Sequence, residues 1–335
     1  HCNPANTQNL ELTCRMSTPF DDIVKAYQQA LSLPEPEITA SPISSIPPTD
    51  NAPCCLICSP HPDDESLVGG LALRMRHQEG WRVVNLAITL GSQVERRLAR
   101  WHEAQAACHY LGFELASPLN TQARSFENIT VKAFESQSPQ WLDCVAKLAN
   151  QLQVFKPRMI IVPHAMDGHT THCATYHLLM QALPLAKLTE SCHLLLSEYW
   201  NTQLSPRLML ALSPTEVGQM MTATAMHTGE VMRNPYHRSL PAWLIDGARR
   251  GAERVGLPGQ AATGMTMAAL YGWLIWDGSL REGPKALVKI GDTMPDFLSS
   301  TFLLLDSWIC AFNLSSSTNF LIAHCWVKVT ILLKK

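Results

Sequence analysis

Two short segments hold the residue types that metal-assisted hydrolysis requires. In Ser59-Pro60-His61-Pro62-Asp63-Asp64-Glu65 an imidazole and three carboxylates stand within five residues. Like charges so close together are unfavourable unless a cation neutralises them or water solvates them, and a metal is the natural partner. Pro62 fixes the turn, so His61 and Asp64 can converge on one ion while Asp63 points elsewhere and stays free to handle a proton. The second segment is Asp167-Gly168-His169-Thr170-Thr171-His172. A helix starting near Thr170 sets His169 and His172 three apart on one side of its first turn. Taken together, His61, Asp64 and His172 make two imidazoles and one carboxylate with an open position, the composition of a catalytic rather than a structural zinc site. Zinc lowers the pKa of a bound water towards about 7 and polarises a carbonyl, the two tasks that amide hydrolysis sets. The plainer alternative is a solvated turn whose carboxylates favour a helix start. His169 and His172 alone would read as ordinary helix-start histidines.

The elements around these segments place them at one sheet edge. CCLICS (residues 54–59), WRVVNLAIT (81–89), RMIIV (158–162) and HLLLS (193–197) read as strands, and SLVGGLALRMRHQ (66–78), Val94 to Leu111, Gln140 to Phe155 and His172 to Leu188 as helices. Strands alternating with helices imply βαβ units, so the expected fold class is α/β, a Rossmann-like, doubly wound, mostly parallel sheet with helices on both faces. The His61 segment follows the first strand and the His169 segment follows RMIIV. Both therefore open at the carboxyl ends of parallel strands, where open α/β sheets bind ligands. Later helices are expected from Pro214 to Met226 and from Pro241 to Arg254, the second with Pro241 in its first turn.

Before this region, residues 1–53 read as an extension, an amphipathic helix after Asp21-Asp22, and a linker carrying Pro34, Pro36, Pro42, Pro47, Pro48 and Pro53. Residues 1–15 show neither a basic n-region nor an apolar h-region, so no signal peptide is expected. Met16 opens a more ordinary stretch, which makes residues 1–15 an upstream extension. The catalytic domain is expected over 54–284, and 285–335 as a tail without a clear period.

Composition narrows the partners. With 26 Lys+Arg against 28 Asp+Glu, and 16% charged beside 46% hydrophobic residues, the chain is neither disordered nor polybasic. Nucleic acid is not an expected partner. No apolar run reaches the roughly 18 residues of a membrane span. The eleven cysteines are odd in number and sit in apolar runs, which reads as reduced thiols in a cytoplasmic protein. Cys55 and Cys58 form a CxxC inside a strand, where packing is expected over redox chemistry.

The HPDDE turn followed by a distant HxxH resembles the PIG-L/LmbE family of metal-dependent N-acetylglucosaminyl deacetylases, over roughly residues 53 to 200. The resemblance implies an LmbE-like fold with Zn2+, or Fe2+ in vivo, on His61, Asp64 and His172. It makes Asp63 the general base that becomes the acid for the leaving amine. His169 would be the imidazole, read as cationic, that stabilises the oxyanion, and Arg100 a substrate contact. The substrate it implies is a small-molecule amino-sugar conjugate. Where the family's second motif commonly reads His-Pro-Asp-His, this chain has Thr170 and Thr171, and Asp167 is the carboxylate left to replace the missing one. Leu90 stands where the family commonly has Asp. The polar and aromatic stretch from His227 to Trp243 suits a loop that closes over a sugar, or equally a subunit interface in a homo-oligomer. Competing readings are a non-catalytic sugar-binding or regulatory protein that keeps the fold, and a metal-dependent amidase or esterase acting on a non-sugar substrate.

Overall fold

The computed structural model describes residues 18–38, 41–44, 46–116, 126–256 and 264–292, with a division into two units between Thr39 and Ala40. The first unit holds one helix, α1 (Asp21–Ser32), started by the Thr18 hydroxyl and backbone N–H, which both donate to Asp21 Oδ1. None of its residues is buried. The expected extension over residues 1–15 lies outside the described residues, as does the expected tail beyond residue 292.

In the second unit, β1 (Cys54–Ser59), β2 (Arg82–Ala87), β3 (Glu114–Ala116), β4 (Met159–Pro163) and β5 (Cys192–Ser197) run parallel in the order β3-β2-β1-β4-β5. The central strands β1 and β4 are buried at every residue, which is why they read as unbroken apolar runs. Chain order reverses between β1 and β4. Beyond β5 the sheet changes character: β7 (Ala268–Trp276) pairs antiparallel with β5 and with β6 (Leu208–Ala211), β9 (Ala286–Val288) runs parallel to β6, and the short β8 (Leu280–Glu282) pairs with β7. The sheet thus takes in residues past Pro284, where the sequence reading ended the domain.

Alternation along β1 feeds two cores. Cys55 and Ile57 pack with side chains of α2 (Asp64–Leu67), α3 (Gly70–His77) and α4 (Arg97–Leu111), while Cys54, Leu56 and Cys58 face the opposite side. There, beyond the small α5 (Val131–Ser136), the covering helices are α6 (Pro139–Phe155) and α7 (Thr170–Ala186). The first core is completed by α8 (Pro214–Ala225) and, after the one-turn α9 (Thr228–Val231), by α10 (Tyr236–Arg254). Helices on both faces of a mostly parallel sheet give the α/β, doubly wound class. Local chemistry sets the helix starts: Ser138 caps α6 ahead of Pro139, and Ser213 and Glu216 form a reciprocal capping box on α8.

Two helices differ from expectation. The run from Ser66 to Gln78 is broken at Val68-Gly69, and Gly70, which opens α3, is pressed against Leu212, where a Cβ would come within 3.0 Å of both methyl groups. The last described helix begins at Tyr236, so Pro241 lies inside it rather than in its first turn. Pro235, which has no N–H to leave unsatisfied, sets the start instead. No described helix is long and apolar enough to cross a membrane. The described cysteines are all free thiols. Burial pushes the Cys58 thiol up to about 12 and Cys55 well above its ordinary value, so this CxxC is inert packing.

Candidate active site

The reversal between β1 and β4 leaves a crevice at their carboxyl ends, and both motif loops open into it. It is a cavity of about 800 Å³ lined by His61, Asp63, Asp64, Arg100, His169 and His172 among others, so these six residues reach one place. His61 Nδ1 and His172 Nε2 are 3.3 Å apart, and Asp64 Oδ2 lies 3.7 Å from each. Tetrahedral ligands at zinc bond lengths of about 2.0–2.1 Å stand roughly 3.4 Å from one another, so the triangle has the dimensions of a three-ligand site. His169 offers a further nitrogen, within 4.8 Å of the His61 and His172 ligand atoms.

Local folding explains the convergence. Asp63 adopts φ 114°, ψ −26°, a left-handed conformation that costs a side-chain-bearing residue energy and that Asp tolerates better than most. The kink turns the Asp64 carboxylate back, and its Oδ2 accepts from the His61 backbone N–H at 2.7 Å. Two relays hold the Asp63 backbone from both sides. Its N–H donates to Glu65 Oε2 at 3.1 Å, while Glu65 Oε1 is 2.7 Å from His227 Nε2. Its carbonyl accepts from Ser66 Oγ at 2.8 Å, and Ser66 is in turn reached by Thr224 Oγ1 at 3.1 Å. Glu65, Ser66, Thr224 and His227 are all essentially water-free. The sequence reading left Glu65 without a role and placed His227 in a closing loop; only the packing of α8 onto α2 brings them together.

Burial and mutual charge shift the titratable groups of the pocket, which Arg96, Arg97, Arg100 and Arg233 also line. Burial and the adjacent Asp64 carboxylate push Asp63 well above the usual carboxylate range, and burial raises Asp64 against the pull of His172. Burial, with His172 and Arg100 nearby, drives His61 well below its ordinary value. For His172 burial works downward, yet the Asp64 and Asp167 carboxylates outweigh it and raise the imidazole. Buried carboxyls and imidazoles facing one another in this way are the donor set a divalent cation satisfies. His169 is lowered by burial and by the neighbouring His172.

Asp167 replaces the carboxylate missing from the second motif: its Oδ1 sits 3.1 Å from His172 Nδ1, with both side chains buried. Leu90 is buried and does not line the cavity. Arg100 Nη2 donates to the Pro62 carbonyl at 3.2 Å and lies 3.8 Å from Glu230, passing over Gly91, where φ is +86° and a Cβ would stand 2.3 Å from Arg100 Nη1. The guanidinium therefore braces the HPDDE turn as well as lining the cavity. His164 is a buried loop residue whose Nε2 is 2.9 Å from the Asn201 carbonyl. Tyr199 is buried beside Asp64 with its ring 4.8 Å from that of His172, and Trp200 stacks on His169 at 5.9 Å.

Comparison with known proteins follows from this geometry. Residues 56–183 match the PIG-L family, described as GlcNAc-PI de-N-acetylase. No curated protein matches the chain. Among solved structures it is similar to the conserved protein TT1542 from Thermus thermophilus, with 18% identity over 71% of this chain and 98% of that one and a TM-score of 0.49. The 4-carboxy-2-hydroxymuconate hydratase GalB from Pseudomonas putida gives 15% identity over 66% and 95%, with a TM-score of 0.48. The N,N'-diacetylchitobiose deacetylase from Pyrococcus horikoshii gives 14% over 78% and 94%, with a TM-score of 0.46. Both motif segments fall inside the residues 56–183 that match the PIG-L family.

Proposed function

We propose that the protein is a metal-dependent hydrolase that removes an N-acetyl group from an amino sugar or its conjugate. The observation that carries this reading is the triangle of His61 Nδ1, Asp64 Oδ2 and His172 Nε2 at 3.3–3.7 Å, with Asp63 beside it in a roomy polar crevice. His61, Asp64 and His172 are the residues that would hold the ion, zinc or ferrous iron. Such an ion, when bound, acidifies water and polarises an acyl carbonyl. Asp63 takes the proton of the attacking water on its carboxylate and returns it to the departing amine nitrogen. His169 donates its N–H to the oxygen on which negative charge develops. Asp167 keeps His172 oriented, and Arg100 braces the Pro62 carbonyl next to the base. The free thiols support a reducing, cytoplasmic setting.

The first test is elemental analysis of purified wild type and His172→Ala. About one zinc or iron per wild-type chain, lost in the variant, is the expected result. Asp63→Asn should then keep its metal and lose acetate release from N-acetylglucosamine conjugates. A wild-type chain that takes up no metal after reconstitution sinks the mechanism and favours a sugar-binding protein.

A further inference from the structure

Four arginines line the catalytic crevice, and each already has a carboxylate beside it. Arg97 Nη1 donates to Glu127 Oε1 at 3.1 Å, and Arg96 Nη2 to Glu103 Oε1 at 3.4 Å. Arg100 and Arg233 share Glu230: Arg233 Nη2 donates to its Oε1 at 2.5 Å, while Arg100 Nη2 stands 3.8 Å from its Oε2. Guanidinium groups gathered in a crevice would ordinarily suit a phosphate or a carboxylate on the ligand. Here side chains of the protein occupy that role.

Glu230 is firmly placed. It is buried in α9, and Asn234 Nδ2 also donates to its Oε1, at 3.0 Å. The two residues before it are tied to α4, because the Thr228 hydroxyl and the Gly229 N–H both donate to Glu103 Oε1, at 3.1 and 3.0 Å. Arg96 lies across Gly229, where any Cβ would run into its guanidinium. Burial works upward on the Glu230 carboxyl, yet Arg233, Asn234 and Arg100 outweigh it and hold the group below the usual carboxylate range, so it is charged at neutral pH. Among the described residues Oε2 accepts no hydrogen bond, and the residue lines the crevice.

Two ligand chemistries meet this arrangement in opposite ways. An anionic group would either sit against a fixed negative charge or have to displace it from two arginines. A hydroxyl can donate to Glu230 Oε2 and accept from the Arg100 guanidinium at once. We propose that Glu230 selects against charge, so that the crevice takes a neutral, hydroxyl-bearing amino-sugar conjugate and rejects one that carries a phosphate or carboxylate close to the sugar ring. This rests on the amino-sugar hydrolase reading above.

The test loads the full chain with zinc and offers it methyl N-acetylglucosaminide, N-acetylglucosamine 1-phosphate and N-acetylglucosamine 6-phosphate. Binding is read by calorimetry and hydrolysis by released acetate. The neutral glycoside should bind and react at least about tenfold better than either phosphate. Raising the salt from about 0.05 to about 0.5 M should leave the glycoside unaffected and improve the phosphates, because salt screens repulsion. Glu230→Gln keeps an acceptor for Arg233 and Asn234 but removes the charge; it should improve the phosphates, weaken the glycoside and so close the gap by about tenfold. A wild-type chain that prefers a phosphate, or whose phosphate binding weakens as salt rises, overturns the proposal, and so does an unchanged preference in folded Glu230→Gln. The salt series on wild type decides the matter if that variant does not fold. Binding selective for the glycoside with no acetate released from any of the three overturns the hydrolase reading and leaves charge selection standing; acetate released fastest from a phosphate does the reverse.

Discussion

Asp167 Oδ1 lies 3.1 Å from His172 Nδ1, with neither side chain exposed to water. On the other side of the ring, His172 Nε2 lies 3.3 Å from His61 Nδ1 and 3.7 Å from Asp64 Oδ2. Carboxylates in this position orient a ligand and raise its basicity. Asp167→Asn should therefore weaken zinc affinity by about 10–100-fold with little change in fold, as competition with a chromophoric chelator would read. An unchanged affinity would remove Asp167 from the site.

The Glu65–His227 contact makes a different prediction, about stability. Both groups are buried at 2.7 Å, so His227→Ala strands a carboxylate away from water. The expected loss is about 3–5 kcal/mol in urea unfolding, whereas His227→Gln, which keeps a donor, should lose about 1–2 kcal/mol. Equal losses in the two variants would mean that volume, not the hydrogen bond, matters there.

His193 offers a pH signature away from the site. Its Nδ1 accepts from Trp273 Nε1 at 3.0 Å, and burial, aided by Arg158 and Arg281, lowers its pKa from 6.5 to about 4. The folded chain keeps this imidazole neutral over a range in which the unfolded chain protonates it. Its contribution is thus complete above pH 6.5 and is lost as pH falls to about 4. The shift corresponds to at most about 3 kcal/mol, less where water screens the ring. His193→Gln keeps an acceptor for Trp273 and should flatten the pH dependence of unfolding between these limits; parallel curves for variant and wild type would refute the assignment.

Arg74 and Glu216 tie α3 to α8 through two hydrogen bonds of 3.0 and 3.1 Å, and Arg74 also donates to the Ala211 carbonyl at 2.6 Å. Arg74→Met should destabilise by about 3–5 kcal/mol, because Glu216 is left buried without its partner. Adding Glu216→Gln should recover part of that loss in the same unfolding assay.

Legibility in the sequence followed range. The parallel half of the sheet could be read because strands buried on both faces are continuous apolar runs, and the two motifs because their residues are contiguous. Asp167 was readable for the same reason, lying five positions before His172. The relays from His227 and Thr224 carry no local pattern: a Glu in a HPDDE turn looks the same whether or not a histidine 162 positions later completes it. At the antiparallel edge β6, β8 and β9 span only three or four residues each and carry little local pattern, while β7, at nine residues, was long enough to read and was not.

The left-handed backbone of Asp63 bears on how this position can be probed genetically. Alanine there would remove the carboxylate and also force a residue with little tolerance for φ 114° into the kink that aims Asp64. A dead alanine variant would confound lost proton transfer with a displaced neighbour. Asparagine shares the tolerance of aspartate for this region, which makes it the substitution that isolates chemistry from geometry. Saturation mutagenesis should accordingly return a two-step pattern at residue 63: asparagine and glycine folded, metal-loaded and silent, and most other residues losing metal along with turnover.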